Sequence, residues 1–500
     1  MDAINGLLTG FQVAFSLQGL LFVFIGVIIG TIIGMIPGLG PITAIAVMIP
    51  ITYGMSPSLA MLLMAGVYYG AAYGGATSSI LLNAPGTSEA VATTFDGYPL
   101  SQQGKAGKAL AIAACSSFVG GTLSVILLSF LAPTLAKVAV SFGPPEYLAL
   151  MLMGLMAVAS LGDGSTIKAL ITATLGFMFS TIGIDSQTGT PRFTFGSVHL
   201  LEGIDFLVVA LGLFALAEVA ALVFKRKEKV KQQNTIGSLK LTKKEIKWIT
   251  PTWARNSVMG FIVGVLPGAG GTIASFMAYL TEKRIAKNPE NFGKGEIRGV
   301  AAPESANNAA STGAFVPLLS LGIPGSGSTA VMLGALMVMG VQPGPLLVTE
   351  HPDIFWGVIA SMYVGNVLLL VLNLPLIPYI AKILKIARPL LISLIIIFCM
   401  MGVYAVSFST FDLFLLVGFG IVGYFMRLAN FPAPPFILAF ILGNMIEQSF
   451  RQAMTISNAD LSIFVTRPVS LIFLILAVAV LFFPLIQSKV KQKREKSMAA

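Results

Sequence analysis

Four clusters of proline and glycine interrupt otherwise apolar stretches of the sequence: Pro37-Gly-Leu-Gly-Pro41, Pro85-Gly-Thr87, Pro267-Gly-Ala-Gly-Gly271 and Pro324-Gly-Ser-Gly-Ser328. Their glycines are Gly38 and Gly40, Gly86, Gly268 and Gly270, and Gly325 and Gly327. A break of this kind frees backbone amides and carbonyls, which is costly in an apolar setting unless they line a cavity or meet a ligand. A helix that restarts there points its first amides, with a partial positive charge, at whatever lies in front. Hydroxyl residues follow every break: Thr43; Thr87 and Ser88; Thr272 and Ser275; Ser326, Ser328 and Thr329. That makes a donor-rich lining suited to carboxylate oxygens without a buried arginine, and carbonyls freed at the same breaks could hold a sodium ion. Packing competes with this reading, because Gly, Ser and Thr let membrane helices approach closely and proline merely kinks them. Packing accounts better for any single residue; the four breaks taken together argue for a binding site.

Polar residues inside apolar runs are expensive and mark function. Asn83 and Glu89 flank Pro85-Gly86, while Glu304, Asn307 and Asn308 precede Pro324-Gly325 with Ser311 and Thr312 one turn on. Asn307, Asn308 and Ser311 are spaced to share a helix face, and Glu304 lies on it too. Glu89 and Glu304 are candidates for coupling to an ion, sodium or a proton; an interfacial place near a helix end is the equal alternative for both. Glu218 and Glu447 fall near predicted span ends and read as structural anchors. His199 and His351 fall in loops far apart and read as solvated.

These residues must be positioned by membrane-spanning helices. Of 500 residues, 56% are hydrophobic and only 10% charged, against about 25% charged in an ordinary soluble domain. Phe206–Phe224, Leu390–Val406 and Leu471–Ile486 are apolar on every face, where a soluble helix would carry a polar stripe. Apolar stretches of about 20 residues recur along the chain, enough for roughly ten to twelve spans. The formal net charge of +10 does not imply nucleic acid, because the basic residues sit in short segments between apolar runs: Lys225–Lys247, Lys283–Arg298, Lys382–Arg388 and Lys489–Lys496. That is the distribution of the positive-inside rule. Cys115 and Cys399 lie within apolar segments, which argues against a disulfide framework or thiolate metal site. The start, Met1–Gly10, has no Lys or Arg and does not resemble a cleaved secretory signal.

The breaks come in pairs that keep their order along the chain. Pro37 pairs with Pro267, Pro85-Gly86 with Pro324-Gly325, Pro133-Thr-Leu-Ala-Lys137 with Pro378-Tyr-Ile-Ala-Lys382, Ser165-Thr166 with Ser409-Thr410, and Glu218 with Glu447. The chain therefore divides into a first membrane repeat over 1–224, a basic cytoplasmic linker over 225–249, a second repeat over 250–450, and a final transmembrane helix with a basic cytoplasmic tail over 451–500. Equivalent loops differ in charge: Lys105 and Lys108 mark one, whereas its partner Gln342–Asp353 carries Glu350 and Asp353 and no Lys or Arg. The expected fold is an all-α polytopic membrane protein of two inverted-topology repeats, with broken helices and re-entrant hairpins and sites at the repeat interface. The N-terminus is expected in the periplasm and the C-terminus in the cytoplasm. Val258–Thr281, basic at both ends, reads as a re-entrant hairpin with Pro267 at its tip, and its partner around Pro37 should do the same from the other face.

Two long strings resemble a known family. Gly34-Met-Ile-Pro-Gly-Leu-Gly-Pro41 and Tyr73-Gly-Gly-Ala-Thr-Ser-Ser-Ile-Leu-Leu-Asn-Ala-Pro-Gly-Thr87 look like the large (TctA-like) membrane subunit of the tripartite tricarboxylate transporters. Gly264-Val-Leu-Pro-Gly-Ala-Gly-Gly271, Pro303-Glu-Ser-Ala-Asn-Asn308 and Gly322-Ile-Pro-Gly-Ser-Gly-Ser328 fit as well, so the likeness covers essentially the whole chain. The resemblance implies a multi-pass subunit of the bacterial inner membrane, partnered by a small four-helix membrane subunit and a periplasmic solute-binding protein. It implies import of citrate-like tricarboxylates or related carboxylates by symport with sodium or protons. No cofactor and no nucleic acid is expected.

Three other classes fit less well. A channel would suit broken helices, but paired breaks without a ring of like charges favour alternating access. An intramembrane serine protease would need a base beside Ser326 or Ser328, and no histidine lies in a predicted span. An ATP-driven pump would need a phosphate loop, and Gly104-Lys105 is followed by Ala106.

Overall fold

The computed structural model describes residues 3–36, 39–161, 165–185, 187–224, 237–268, 270–380 and 388–482. Pro37 and Gly38, residues 225–236 of the basic linker, residues 381–387 and the basic tail lie outside them. Within the described residues the chain is helical but for a two-stranded hairpin, β1 Gly183–Ile184 against β2 Pro191–Arg192. Among the described residues, six helices are long and apolar enough to cross a membrane, and six shorter apolar helices accompany them. Large apolar side chains such as Phe24, Phe130, Ile421 and Phe425 stand exposed on the outer surface, which suits a lipid surround. The chain is an all-α, multi-pass membrane protein.

The first half opens with α1 (Ala3–Ala14), α2 (Leu17–Met35), α3 (Gly40–Met48) and α4 (Pro57–Leu82). Helix α4 is buried along nearly its whole length, although it carries Tyr68, Tyr69 and Tyr73. Helix α2 can lie against it because Gly26, Gly30 and Gly34 repeat at one-turn spacing. A Cβ on any of them would strike the backbone of Leu63, Val67 or Ala71. Small residues on one stripe are how apolar helices gain contact where lipid offers no hydrophobic drive. After the first break come α5 (Val91–Leu100), α6 (Ala106–Ala139), α7 (Pro144–Leu161) and α8 (Thr166–Ser180). The short helices α9 (Phe206–Ala210) and α10 (Ala217–Phe224) follow, joined by a wide turn into one span.

The second half repeats the device. Helix α11 (Lys243–Val265) turns at Leu266–Gly268 into α12 (Gly270–Ile285), and α13 (Ile297–Gly313) runs into α14 (Phe315–Leu321). Gly260 and Gly264 of α11 sit on the backbone of Ala306 and Ala310 of α13, as the glycines of α2 sit on α4. Beyond the second break lie α15 (Gly327–Val338), α16 (Leu347–Glu350), α17 (Pro352–Ile380), α18 (Arg388–Ser407), α19 (Thr410–Leu428), α20 (Pro434–Ile456), α21 (Ile463–Thr466) and α22 (Pro468–Phe482).

Ion pairs fasten the ends. Thr242 and Glu245 form a reciprocal cap that starts α11, and Lys108 Nζ lies 2.6 Å from Glu245 Oε1. That hydrogen bond holds the Glu245 carboxyl at about 2. At the other end, Arg451 pairs with Asp185 of the β-hairpin at 2.7 Å and holds its carboxyl well below the usual range. Glu447 takes Arg192 at 2.7 Å and Arg451 at 2.5 Å, which is a structural anchor.

Candidate functional site

The two long breaks stop their helices in the same way. Helix α4 ends on Asn83 in the left-handed region (φ 54°), and α14 ends on Gly322 there (φ 71°). Asn is among the few side chains that tolerate this conformation, and Gly adopts it freely. In each case Pro-Gly follows, then an extended hydroxyl residue, Thr87 or Ser326, before the next helical turn.

The restarts differ. The Ser326 hydroxyl accepts from Thr329 N, and the Thr329 hydroxyl takes the Ser326 amide at 2.8 Å, a closed reciprocal cap. Tyr68 adds a hydroxyl contact to Ser326 at 3.1 Å. Thr87 makes no such cap, and its buried Oγ1 has no hydrogen-bond partner. The third residue after Thr87 is Ala90, which has no atom to reach back.

The hairpin turns meet these breaks. Gly268 N donates to Gly325 O at 3.1 Å, and Thr272 Oγ1 donates to Ser88 Oγ at 3.1 Å, so the α11–α12 turn touches both. Gly86 is packed on the Gly34 carbonyl at the end of α2, and Gly327 faces Ile42 of α3. All four interruptions thus converge on one cavity of about 760 Å³. Its wall includes Gly40 and Thr43; Pro85, Gly86, Thr87, Ser88 and Glu89; Gly268, Gly270 and Thr272; and Ser326, Gly327 and Ser328. Polar groups converging in a largely apolar recess are the usual form of a small-molecule site.

Other residues singled out in the sequence lie outside that wall. Asn83 is exposed, and Thr329 is spent on the Ser326 cap. Pro267, Pro324 and Gly325 shape the turns without lining the cavity. Glu304 is wholly buried away from it, with Thr93 Oγ1 donating to one carboxylate oxygen at 2.5 Å and Ser117 Oγ to the other at 3.0 Å. Asn308 Nδ2 donates to the Glu304 carbonyl. Asn307 and Ser311 share the buried face expected of them, yet the Asn307 amide and the Ser311 hydroxyl have no hydrogen-bond partner. A Cβ on Gly271 would lie 2.9 Å from Asn307 Oδ1 and 2.8 Å from Glu89 Cδ. The bare glycine therefore lets both side chains close onto its backbone. Unsatisfied buried amides cost about 1–3 kcal/mol each, so their presence beside the cavity calls for a ligand, an ion or water.

Two contributors, Tyr68 and Arg427, escaped the sequence reading, and a third, Glu218, was read there only as an anchor. Tyr68 was concealed among the apolar residues of α4, and only its contact with Ser326 brings it to the site. Arg427, at the end of α19, resembles any cation that closes a span. In the structure it lines the cavity and pairs with Glu218, which lines it too. The lining therefore carries an arginine at its mouth, which the hydroxyl-and-amide reading lacked. A polar residue flanking an apolar span was the only signal for either member of that pair.

Comparison with known proteins agrees over nearly the whole length. The model of the tripartite tricarboxylate transporter TctA family matches residues 20–438. The chain is 42% identical over 496 residues to an uncharacterized 52.8 kDa protein in the TAR-I ttuC' 3' region of Agrobacterium vitis, covering 99% of each chain. It is 43% identical over 236 residues to an uncharacterized protein in the TAR-II ttuC' 3' region of the same organism, covering 47% of this chain and 97% of that one. No solved structure matches.

Proposed function

We propose, from the premise that this chain belongs to the tripartite tricarboxylate transporter TctA family, that it is the translocation subunit of a binding-protein-dependent secondary transporter. It imports citrate-like tricarboxylates or related carboxylates across the bacterial inner membrane by symport with sodium or protons. A small four-helix membrane subunit and a periplasmic solute-binding protein complete the system. The convergence of four Pro-Gly interruptions on one cavity carries this reading. Thr87, Ser88 and Ser328 offer hydroxyls to carboxylate oxygens there, with Thr272 donating to Ser88, and alternating access needs a site of this kind at the meeting of two repeats.

The same glycine-on-backbone contact, α2 on α4 and α11 on α13, supports the repeats of 1–224 and 250–450. The cavity is also lined by Ala159 near the end of α7, Ala169 at the start of α8, and the turn 430–434 between α19 and α20. The span α9–α10 ends on that side and leads into the basic linker, which the positive-inside rule places in the cytoplasm. The cavity then faces inward, the N-terminus is periplasmic, and the C-terminus is cytoplasmic.

For the coupling ion, Asn307 Oδ1 and the Glu89 carboxyl group close on Gly271, and Ser311, one turn on from Asn307, adds a buried hydroxyl oxygen on the same helix. Oxygen donors fit a hard cation such as sodium. Glu304, held by two hydroxyls, is the second candidate and suits a proton.

Uptake of radiolabelled citrate and a dicarboxylate panel, in vesicles carrying this chain with both partners under an imposed sodium or proton gradient, tests the proposal. Uptake that requires the binding protein and one gradient is expected and names the ion. Uptake of nothing in the panel by correctly assembled protein removes the carboxylate assignment.

A further inference from the structure

The cavity wall holds one ion pair that the broken helices do not require. Arg427 Nη1 of α19 donates to Glu218 Oε2 of α10, and both residues line the cavity. The Arg427 side chain is 50% exposed and that of Glu218 only 11%, so the cation stands at the mouth with the carboxylate behind it. Arg427 is the only Lys or Arg lining the cavity among the described residues. Its backbone is well fixed: Gly423, one turn earlier, is packed on Leu213 and Ala217, and a Cβ there would lie 2.9 Å from either.

A guanidinium presents five N–H donors in a planar fork that matches a carboxylate, and here a single nitrogen is spent on Glu218. Arg427 is half exposed but Glu218 is buried, so parting them costs more than the about 0–1 kcal/mol of an exposed pair, and an incoming carboxylate must offset that cost through its own charge-assisted hydrogen bonds to the guanidinium. Glu218, buried in the same wall, holds the guanidinium in place while the cavity is empty. The pair thus has a resident anion that stands in for a diffusible one.

We propose that Arg427 is the carboxylate-recognising residue of the cavity and that Glu218 is its internal competitor, displaced when a substrate carboxylate binds. This rests on the carboxylate reading above. It adds that the substrate must carry at least one ionised carboxylate for Arg427, with its remaining polar groups met by the hydroxyls of the breaks.

Equilibrium binding of radiolabelled citrate and of a dicarboxylate panel to the purified chain, assembled with its small-subunit partner, tests it. Arg427→Gln is expected to weaken binding at least tenfold and Arg427→Lys several-fold, whereas Glu218→Gln should tighten it several-fold. Opposite shifts identify competition. A pair that only braces α19 against α10 would lower the unfolding midpoint in both variants and leave the affinity of folded protein unchanged, and that result overturns the inference. Should Arg427→Gln fail to fold, Glu218→Gln decides: unchanged or weaker binding refutes competition. Wild-type protein that binds none of the carboxylates sinks the transport reading itself, so the two failures are told apart by the wild-type arm alone.

Discussion

The breaks at 83–90 and 322–329 are built to one plan and finished differently. Each has a left-handed stop, a Pro-Gly corner and an extended hydroxyl residue. At the second, Ser326 and Thr329 satisfy one another and Tyr68 adds a further contact. At the first, Ala90 stands where Thr329 would be, and Thr87 Oγ1 is buried with no hydrogen bond. An N-terminal cap stabilises by about 0.5–2 kcal/mol, so the first break forgoes a stabilisation that the second takes. A hydroxyl kept vacant at that cost, in the wall of a cavity, is available for a ligand. The closed break satisfies its own polar groups, and under the proposed function the open one is where a ligand is expected.

Substitutions can break or sharpen this contrast. The largest effect is expected where the halves are alike. Gly30→Val and Gly264→Val each push a side chain into a neighbouring helix backbone, and overpacking of this kind costs about 1–3 kcal/mol or more. Both should deplete folded protein in the membrane, measured as detergent-extracted monodisperse yield; normal yield from either would show that the helix pair can spread. Next, Thr87→Val should reduce carboxylate uptake about tenfold at normal membrane levels with an unchanged unfolding midpoint, because no hydrogen bond is lost. A drop in stability equal to that of Ser326→Ala would erase the distinction between the breaks.

Ser326→Ala should behave in the reverse way, losing about 1 kcal/mol of stability measured by thermal unfolding and retaining more transport than Thr87→Val. Ala90→Thr supplies the missing reciprocal partner. It should occupy Thr87, raise the unfolding midpoint slightly and slow uptake; faster uptake would contradict a ligand role for Thr87.

The smallest effect serves as a control remote from both breaks. Glu245, paired with Lys108, titrates at about 2 instead of its ordinary 4.5. A depressed carboxyl contributes stability above the unfolded value and loses it as pH falls through the folded one. Glu245→Gln should therefore be less stable than wild type by at most about 1 kcal/mol above pH 4.5, with the gap closing toward pH 2 and uptake unaffected. A gap that persists at pH 2 would assign the loss to the α11 cap and not to the ion pair.

Much of this molecule is legible in one dimension. Apolar runs, positive loops and the absence of a polar stripe specify a multi-pass helical protein, because the bilayer imposes the same rule on every segment. The positions of the four interruptions are local too, since proline and glycine act on their own φ, ψ and amide. Asn83 and Gly322 could be placed at the helix stops only once the backbone was known, although both are residue types suited to it. Convergence of the interruptions is a property of the tertiary structure: Gly268 finds Gly325, Thr272 finds Ser88, and Gly86 finds the end of α2. Glu304 shows the same limit from the other side. Its sequence neighbours suggest the site, but Thr93 and Ser117, far away along the chain, hold it off the cavity. Arg427 and Glu218 look like unrelated ends of two spans until α19 packs flush on α10. The sequence by itself determined where the helices run and where they break, since those follow from solvent and backbone rules acting over a few residues. Only the packed structure decided which hydroxyls stay vacant and which charges meet, because hydrogen bonds and ion pairs act over a few ångströms between residues that the chain alone keeps far apart.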